Sequence, residues 1–162
     1  CAEIARVLGE LDPDHAAEYQ TNAENYMAEL EALDGEYAAL AENAARRTVL
    51  VGDRFPFRYL VDDYGLMYYA AFSGCSAETE ASFETVAFLA KKVDELTLPC
   101  VLTIEGATHG IAETVVSNTN TKNQEILVLD SMQVVTAADV EGGASYLFIM
   151  EKNLEILKAA LR

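Results

Sequence analysis

An α/β fold, with a four-stranded, mainly parallel sheet and helices on both faces, is predicted by two features of the sequence. From residue 48 onward, short apolar strand-like runs alternate with longer segments of helical periodicity. The strand-like runs also lack the polar–apolar alternation of a strand with one face in water, which is typical of parallel strands buried on both faces. The 162 residues are enough for one domain with a substantial core.

Two helices are predicted ahead of the sheet. In residues 1–11, apolar side chains recur on one helical face, and these are Ile4, Val7, Leu8 and Leu11. The next helix is predicted to start at Asp12, a residue suited to an N-cap, with Pro13 at the first helical position. It is predicted to run to about residue 45, because apolar residues recur there at spacings of three, four or seven.

The rest of the chain predicts a regular succession of strands and helices. The predicted strands cover residues 48–53, 66–72, 100–105 and 125–130. The predicted helices cover residues 55–65, 82–96, 110–120 and 143–162. Parallel strands joined by helices require right-handed crossovers, which places the helices on the two faces of the sheet.

Carboxylates stand where three of the predicted strands end. They are Asp53, Glu105 and Asp130, and Glu78 and Glu80 follow the second strand. Ligands of open parallel sheets bind outside the carboxyl ends of the strands, so these side chains are expected at one edge. Their mutual repulsion would be costly without a cation or an arginine beside them. The sequence therefore favours a cation site, although an aspartate at a strand end often only caps the following turn.

Other residues give weaker signals of function. His109 follows the third strand by four residues, and a lone histidine in a loop is more often solvated than a ligand. The cysteines have no metal-ligand spacing, so a site built from this sequence alone would depend on carboxylates. The formal net charge of −16 disfavours nucleic acid and anionic membrane surfaces as partners.

Several segments together resemble the C-terminal half of the zinc/manganese solute-binding proteins of bacterial ABC transporters, the family that includes the adhesion lipoproteins. They are GDRFPFRYLVDDYGL, GCSAETEAS, VLTIEGATHGIAETV, ILVLDSM and ASYLFIMEKNLEILKAAL. The resemblance implies two α/β lobes that are joined by a long helix and hold a metal ion between them. Residues 1–11 would then be the end of the linking helix, residues 12–162 the C-terminal lobe, and the N-terminal lobe would lie outside this sequence.

The same resemblance implies a function and a set of ligands. The protein would be an extracytoplasmic receptor, at the cell surface or in the periplasm and lipid-anchored at full length. It would deliver a divalent metal ion, zinc first and manganese second, to an ABC transporter permease. Asp130 matches the family aspartate, whereas the other family ligand falls on Arg54, which does not ligate metal. Asp53 would serve instead if the turn is one residue longer here, and Glu105 would be a substitute ligand or a neighbour of the ligands.

Two other functions stay open at this point. Strand-end carboxylates also occur in magnesium-dependent phosphoryl-transfer domains, but the lysine and the serine or threonine that such sites add are not evident here. The chain is alternatively an adhesin or interaction lobe without a working metal site. If the chain is one lobe of a longer protein, residues 1–11 and the last helix are expected to expose apolar surface. Such a surface favours self-association.

Overall fold

The computed structural model describes residues 1–73, 81–106 and 108–162. The four parallel strands lie in the order β2-β1-β3-β4. Their bounds are Thr48–Phe55 for β1, Met67–Ser73 for β2, Cys100–Ile104 for β3 and Glu125–Leu129 for β4. The predicted α/β class and parallel sheet are therefore confirmed. The predicted Glu78 and Glu80 lie outside the described residues.

Seven α-helices accompany these strands in the described ranges. They are α1 (Ala2–Leu11), α2 (Ala16–Asn43), α3 (Arg58–Asp63), α4 (Phe83–Leu96), α5 (Gly110–Ser117), α6 (Ala137–Glu141) and α7 (Tyr146–Leu161). A 3-10 turn, Pro13–His15, stands between α1 and α2. Among the described residues, no helix is both long enough and apolar enough to cross a membrane.

The chain divides into two compact units, Cys1–Ala39 and Leu40–Arg162. The first unit consists of α1, the 3-10 turn and most of α2. Its apolar stripe on α1 is exposed, as the sequence predicts, with Ile4 at 66% and Leu11 at 78% of full exposure. Asp12 is not the predicted side-chain cap, because its carboxylate accepts hydrogen bonds from the Tyr19 hydroxyl and the His15 ring instead.

The second unit contains the sheet and its two apolar layers. One layer is formed where α4 and α5 pack, and its members are Leu50, Val86, Leu89, Ala90, Val93, Leu98, Val101, Ala112 and Val115. Helix α7 packs on β1, β3 and β4 through buried residues that include Leu154, Leu157 and Leu161. Each such fully buried leucine contributes about 1.5–3 kcal/mol of hydrophobic stabilisation. The predicted exposed stripe of the last helix is therefore wrong, except in its first turn, where Tyr146 and Phe148 are exposed.

Two further details differ from the sequence prediction. Strand β1 continues to Phe55, so Asp53 lies within the strand and not at its end. Helix α6 was not predicted, although a capping box marks its start: the Thr136 hydroxyl accepts the Asp139 N–H, and the Asp139 carboxylate accepts the Thr136 N–H. This reciprocal pair satisfies two backbone donors that a helix of five residues would otherwise leave without partners.

Candidate metal centre

The carboxyl edge of the sheet brings the three predicted carboxylates into one row. Strands β1, β3 and β4 are neighbours in the order of the sheet. The pairing of Ile104 with Leu129 places Glu105 and Asp130 side by side, directly after the last paired residues. Asp53 lies within β1, and its carboxylate is hydrogen-bonded to Thr103 of β3, two residues before Glu105. Glu105 and Asp130 follow their strands at one edge, as the sequence predicts, and the role of Asp53, Glu105 and Asp130 as metal ligands stays a prediction.

A β-bulge in β1 sets the direction of Asp53. Val51 pairs with Ala70 and Arg54 with Phe72, so Gly52 and Asp53 together stand opposite one residue of β2. Regular alternation would turn the side chains of two consecutive residues to opposite faces of the sheet. A bulge bends the strand and re-aims its side chains. Here it allows Asp53 to reach the face on which α5 packs.

Gly52 is required at this bulge by the closeness of α5. A Cβ atom at this position would lie 2.6 Å from the Cα of Ala112 and 3.0 Å from its backbone nitrogen. Ala112 is itself fully buried, at 0% exposure. The absent side chain therefore lets the first turn of α5 approach the strand, and it brings the residue just before α5, His109, towards Asp53.

Thr103 connects Asp53 to His109. Its hydroxyl donates a hydrogen bond to Asp53 Oδ2 at 3.1 Å and lies 3.3 Å from His109 Nδ1. Thr103 is completely buried, so this hydroxyl is shielded from competing water. The second oxygen of Asp53, Oδ1, accepts the backbone N–H of Arg54 at 2.7 Å and lies 3.8 Å from the Arg54 guanidinium. Both oxygens of Asp53 thus accept hydrogen bonds from neighbouring residues.

Glu105 holds the loop after β4. Its carboxylate accepts hydrogen bonds from the Ser131 hydroxyl and N–H, both at 2.6 Å, and from the Gln133 N–H at 3.0 Å. Burial by itself would raise the pKa of Glu105, but the hydrogen bonds from Ser131 and Gln133 favour the charged form and lower the pKa below its ordinary value. Glu105 therefore fixes the loop that carries Asp130.

Asp130 is held from the backbone side while its carboxylate remains accessible. The buried amide of Asn153, on α7, accepts the Asp130 N–H and donates to the Asp130 carbonyl, both at 2.8 Å. Asp130 Oδ1 accepts the N–H of Met132 at 2.7 Å, and Met132 adopts a left-handed conformation with φ 61°. Asp130 Oδ2 accepts no hydrogen bond from the described residues. This oxygen is therefore available to a partner outside the described residues.

Two adjoining pockets open at this edge. The first, of about 590 Å³, is lined by residues that include Asp53, Arg54, Glu105 and His109. The second, of about 610 Å³, contains Asp130 and shares Glu105 and Gly106 with the first. Within the described ranges, no three histidine, cysteine or acidic side chains are close enough together to hold a metal ion. The carboxylates and the histidine of this edge are therefore separate groups and not one cluster.

Two residues of this edge, Thr103 and Asn153, were not singled out from the sequence. Thr103 lies in an apolar strand, where threonine is common, and Asn153 lies within an otherwise apolar helix stripe. His109 was considered but was expected to be solvated, whereas it is half-buried in contact with Thr103. The only signal for Asn153 was a polar residue on an apolar helix face. Nothing near Thr103 in the sequence indicated its partner, Asp53, because the two residues are 50 positions apart.

Comparison with known proteins matches the chain to zinc-uptake and zinc-binding proteins. Residues 1–160 match the family described as ZnuA, zinc-uptake complex component A, periplasmic. The zinc-binding lipoprotein AdcA of Streptococcus pneumoniae is 32% identical over 146 residues, which are 90% of this chain and 28% of that protein. The chain thus spans less than a third of the length of this relative.

Solved structures extend the comparison to the fold. The Zn(II)-bound ZnuA-like domain of Streptococcus pneumoniae AdcA aligns with a TM-score of 0.75 and 29% identity, over 98% of this chain and 57% of that one. The laminin-binding protein Lmb of Streptococcus agalactiae, described as having adhesin and metal-transporting activity, aligns with a TM-score of 0.80 and 25% identity. It is covered over 58% of its length and covers 99% of this chain.

Proposed function

The chain belongs to the ZnuA family of periplasmic zinc-uptake components, and from this premise we propose that it is the C-terminal lobe of an extracytoplasmic zinc receptor. The receptor captures a divalent ion and delivers it to the permease of an ABC transporter. It binds and releases its ion without chemical change, so the role is that of a binding protein and not of an enzyme. Residues 1–11 are proposed to end the linking helix, and residues 12–162 to form the lobe.

The observation that supports this proposal most strongly is that Asp130 Oδ2 accepts no hydrogen bond from the described residues. The Asn153 amide, the Met132 N–H and the clamped Ser131 fix the position of Asp130, while Oδ2 is left for an external partner. A carboxylate oxygen held in this way is prepared to bind a cation with little further ordering. Asp53 and Glu105 line the same edge and add negative charge near the ion.

Zinc is the proposed cargo, with manganese second. The family match and the Zn(II)-bound neighbour support zinc. Zinc usually takes four ligands in a tetrahedral arrangement, with imidazole and thiolate preferred over oxygen. Since this edge offers few ligand atoms, the remaining ones are proposed to come from the N-terminal lobe across a cleft. Movement of the two lobes, or local rearrangement at the site, would then release the ion.

Calorimetric titration of zinc chloride and manganese chloride into the full-length receptor tests the proposal. Asp130→Asn should weaken zinc binding by roughly a hundredfold, because it removes a charged ligand. Glu125→Gln is the matched control, since Glu125 is an exposed acid at the opposite end of the same strand and should leave affinity unchanged. Unchanged tight binding in Asp130→Asn would overturn the site. Absence of metal binding by the wild type would instead favour an interaction lobe, and turnover of a phosphate ester with magnesium would favour the phosphoryl-transfer alternative.

A further inference from the structure

The direction of one hydrogen bond determines the protonation of the His109 ring. A carboxylate accepts hydrogen bonds and donates none, so the contact between Thr103 Oγ1 and Asp53 Oδ2 uses the proton of the Thr103 hydroxyl. A hydroxyl has only one proton to donate, so the contact between Thr103 Oγ1 and His109 Nδ1 must take its proton from the ring. In the neutral imidazole, Nδ1 is then the protonated nitrogen and Nε2 keeps its lone pair.

The surroundings of His109 leave this lone pair available. Within the described part of the chain, no hydrogen bond or ion pair involves Nε2. His109 is half-buried and lines the same pocket of about 590 Å³ as Asp53 and Glu105. The pocket also contains Arg54, but a guanidinium is always protonated and supplies no lone pair to a metal ion.

We propose that His109 Nε2 is a zinc ligand of this lobe, and that Thr103 and Asp53 are positioning residues that orient it. This inference rests on the proposed zinc-binding function and adds a ligand to it. Histidines that bind metal usually donate their other ring N–H to an oxygen, which fixes the tautomer and the direction of the ring. Here Thr103 Oγ1 is that oxygen, and the carboxylate of Asp53 stands behind it.

The proposed roles agree with the way Asp53 is held, and they imply a preference for one metal. Asp53 cannot easily turn towards an ion, because both of its oxygens already accept hydrogen bonds from Arg54 and Thr103. An imidazole ligand also gives the site a preference for zinc over manganese, which a site of carboxylates alone would lack. Together with Asp130 on the adjoining pocket, His109 would give this lobe one nitrogen and one oxygen ligand.

Nuclear magnetic resonance of the full-length receptor with ¹⁵N-labelled histidine tests the assignment directly. Without metal, His109 is expected to show the tautomer protonated at Nδ1. Addition of one equivalent of zinc chloride should shift the Nε2 resonance strongly and the Nδ1 resonance little. A His109 ring protonated at Nε2, or an Nε2 resonance that zinc does not move, would overturn the proposal. If zinc binds while His109 stays unaffected, only this inference fails; if zinc does not bind at all, the proposed function fails first.

Substitutions give a second, independent readout by calorimetry. His109→Ala should lower zinc affinity about a hundredfold or more, and Thr103→Val should lower it about 10–100-fold. Thr103→Ser retains the hydroxyl and should restore most of the affinity. His15→Ala is the matched control, because His15 is the other histidine of the sequence and lies in the first unit. Wild-type affinity in a folded His109→Ala receptor, checked by circular dichroism, would contradict the assignment.

Discussion

The side-chain amide of Asn153 holds the peptide backbone of Asp130 on both sides: it accepts the Asp130 N–H and donates to the Asp130 carbonyl, each at 2.8 Å. Asn153 is only 1% exposed, so no water can replace these bonds. These two hydrogen bonds connect Asp130, the residue after β4, to the middle of α7. It explains why an apolar helix stripe contains one amide.

Asn153→Leu should therefore be strongly destabilising. The leucine fills the volume but leaves the N–H and the carbonyl of Asp130 without partners, and each buried polar group left unpaired costs about 1–3 kcal/mol. Urea unfolding should show a loss of roughly 2–5 kcal/mol in the free energy of unfolding. Asn118→Ala, which removes an exposed amide from the end of α5, is the control and should cost less than about 1 kcal/mol. Equal effects of the two changes would contradict the role given to Asn153.

Gly52→Ala is expected to displace the first turn of α5. The new Cβ would lie 2.6 Å from the Cα of Ala112, which is backbone and cannot turn away. We expect a loss of about 1–3 kcal/mol in stability and weaker zinc binding in the full-length receptor, because His109 precedes this turn. Gly35→Ala in α2, where no atom lies within 4 Å of the new Cβ, should be neutral or stabilising by up to about 1 kcal/mol. A Gly52→Ala protein as stable as the wild type would show that α5 does not need this close approach.

Because of Glu105, the free energy of unfolding should depend on pH in the acid range. Its folded pKa lies below the ordinary value, so its contribution is present above the unfolded pKa of about 4.3 and is lost as the pH falls through the folded pKa. Glu105→Gln should lower stability near neutral pH by about 1 kcal/mol, because the group is partly exposed and screened by solvent. The difference between wild type and variant should disappear as the pH falls below the folded pKa of Glu105. Urea unfolding at a series of pH values measures this difference in the free energy of unfolding. A difference that stays constant as the pH falls would show that the charge of Glu105 does not stabilise the loop after β4.

Cys100 should be unreactive in the folded protein. Burial, with a smaller contribution from the nearby Glu125 carboxylate, raises the pKa of its thiol to about 11. At neutral pH the reactive thiolate is therefore rarer by roughly two orders of magnitude than in an ordinary cysteine. Labelling with iodoacetamide followed by peptide mapping should modify the exposed Cys1 readily and Cys100 only after unfolding. Cys75 lies outside the described residues, and peptide mapping reports its labelling on a separate peptide from that of Cys100. Rapid labelling of folded Cys100 would contradict its burial.

The lobe alone should bind zinc much more weakly than the full-length receptor. It offers Asp130 and, as inferred above, His109, and the ion would keep water at its other positions. Without the opposite lobe, the ligands also face solvent, where electrostatic attraction is strongly screened. Zinc titrations of this chain and of the full-length receptor should differ by several orders of magnitude in affinity. Equal affinities would place the whole site within this chain.

The general plan of the sheet could be predicted because it depends on local patterns. Apolar runs without alternation identified four strands, and parallel order then placed Asp53, Glu105 and Asp130 at one edge. Helix α6 was not predicted, although Thr136 and Asp139 have the spacing of a capping box. That helix is only five residues long, and no apolar periodicity accompanies it.

The details of the site were less predictable because they depend on contacts between distant residues. Gly52 marks either a strand end or a bulge, and only the pairing of β1 with β2 distinguishes them. The hydrogen bond between Thr103 and Asp53 joins positions that are 50 residues apart. The role of His109 depends in turn on that bond, so no short motif could have shown it.

The bulge at Gly52 and Asp53 has a consequence for how such a protein changes over evolutionary time. Val51 pairs with Ala70 and Arg54 with Phe72, and only one residue of β2 lies between these pairs. Both pairs could therefore keep their register if one residue stood in place of Gly52 and Asp53. A single-codon deletion within this pair would therefore exchange the side chain at the bulge without shifting the buried residues of β1. The selectivity of the pocket can then diverge among descendants while the apolar layers beneath it are inherited unchanged.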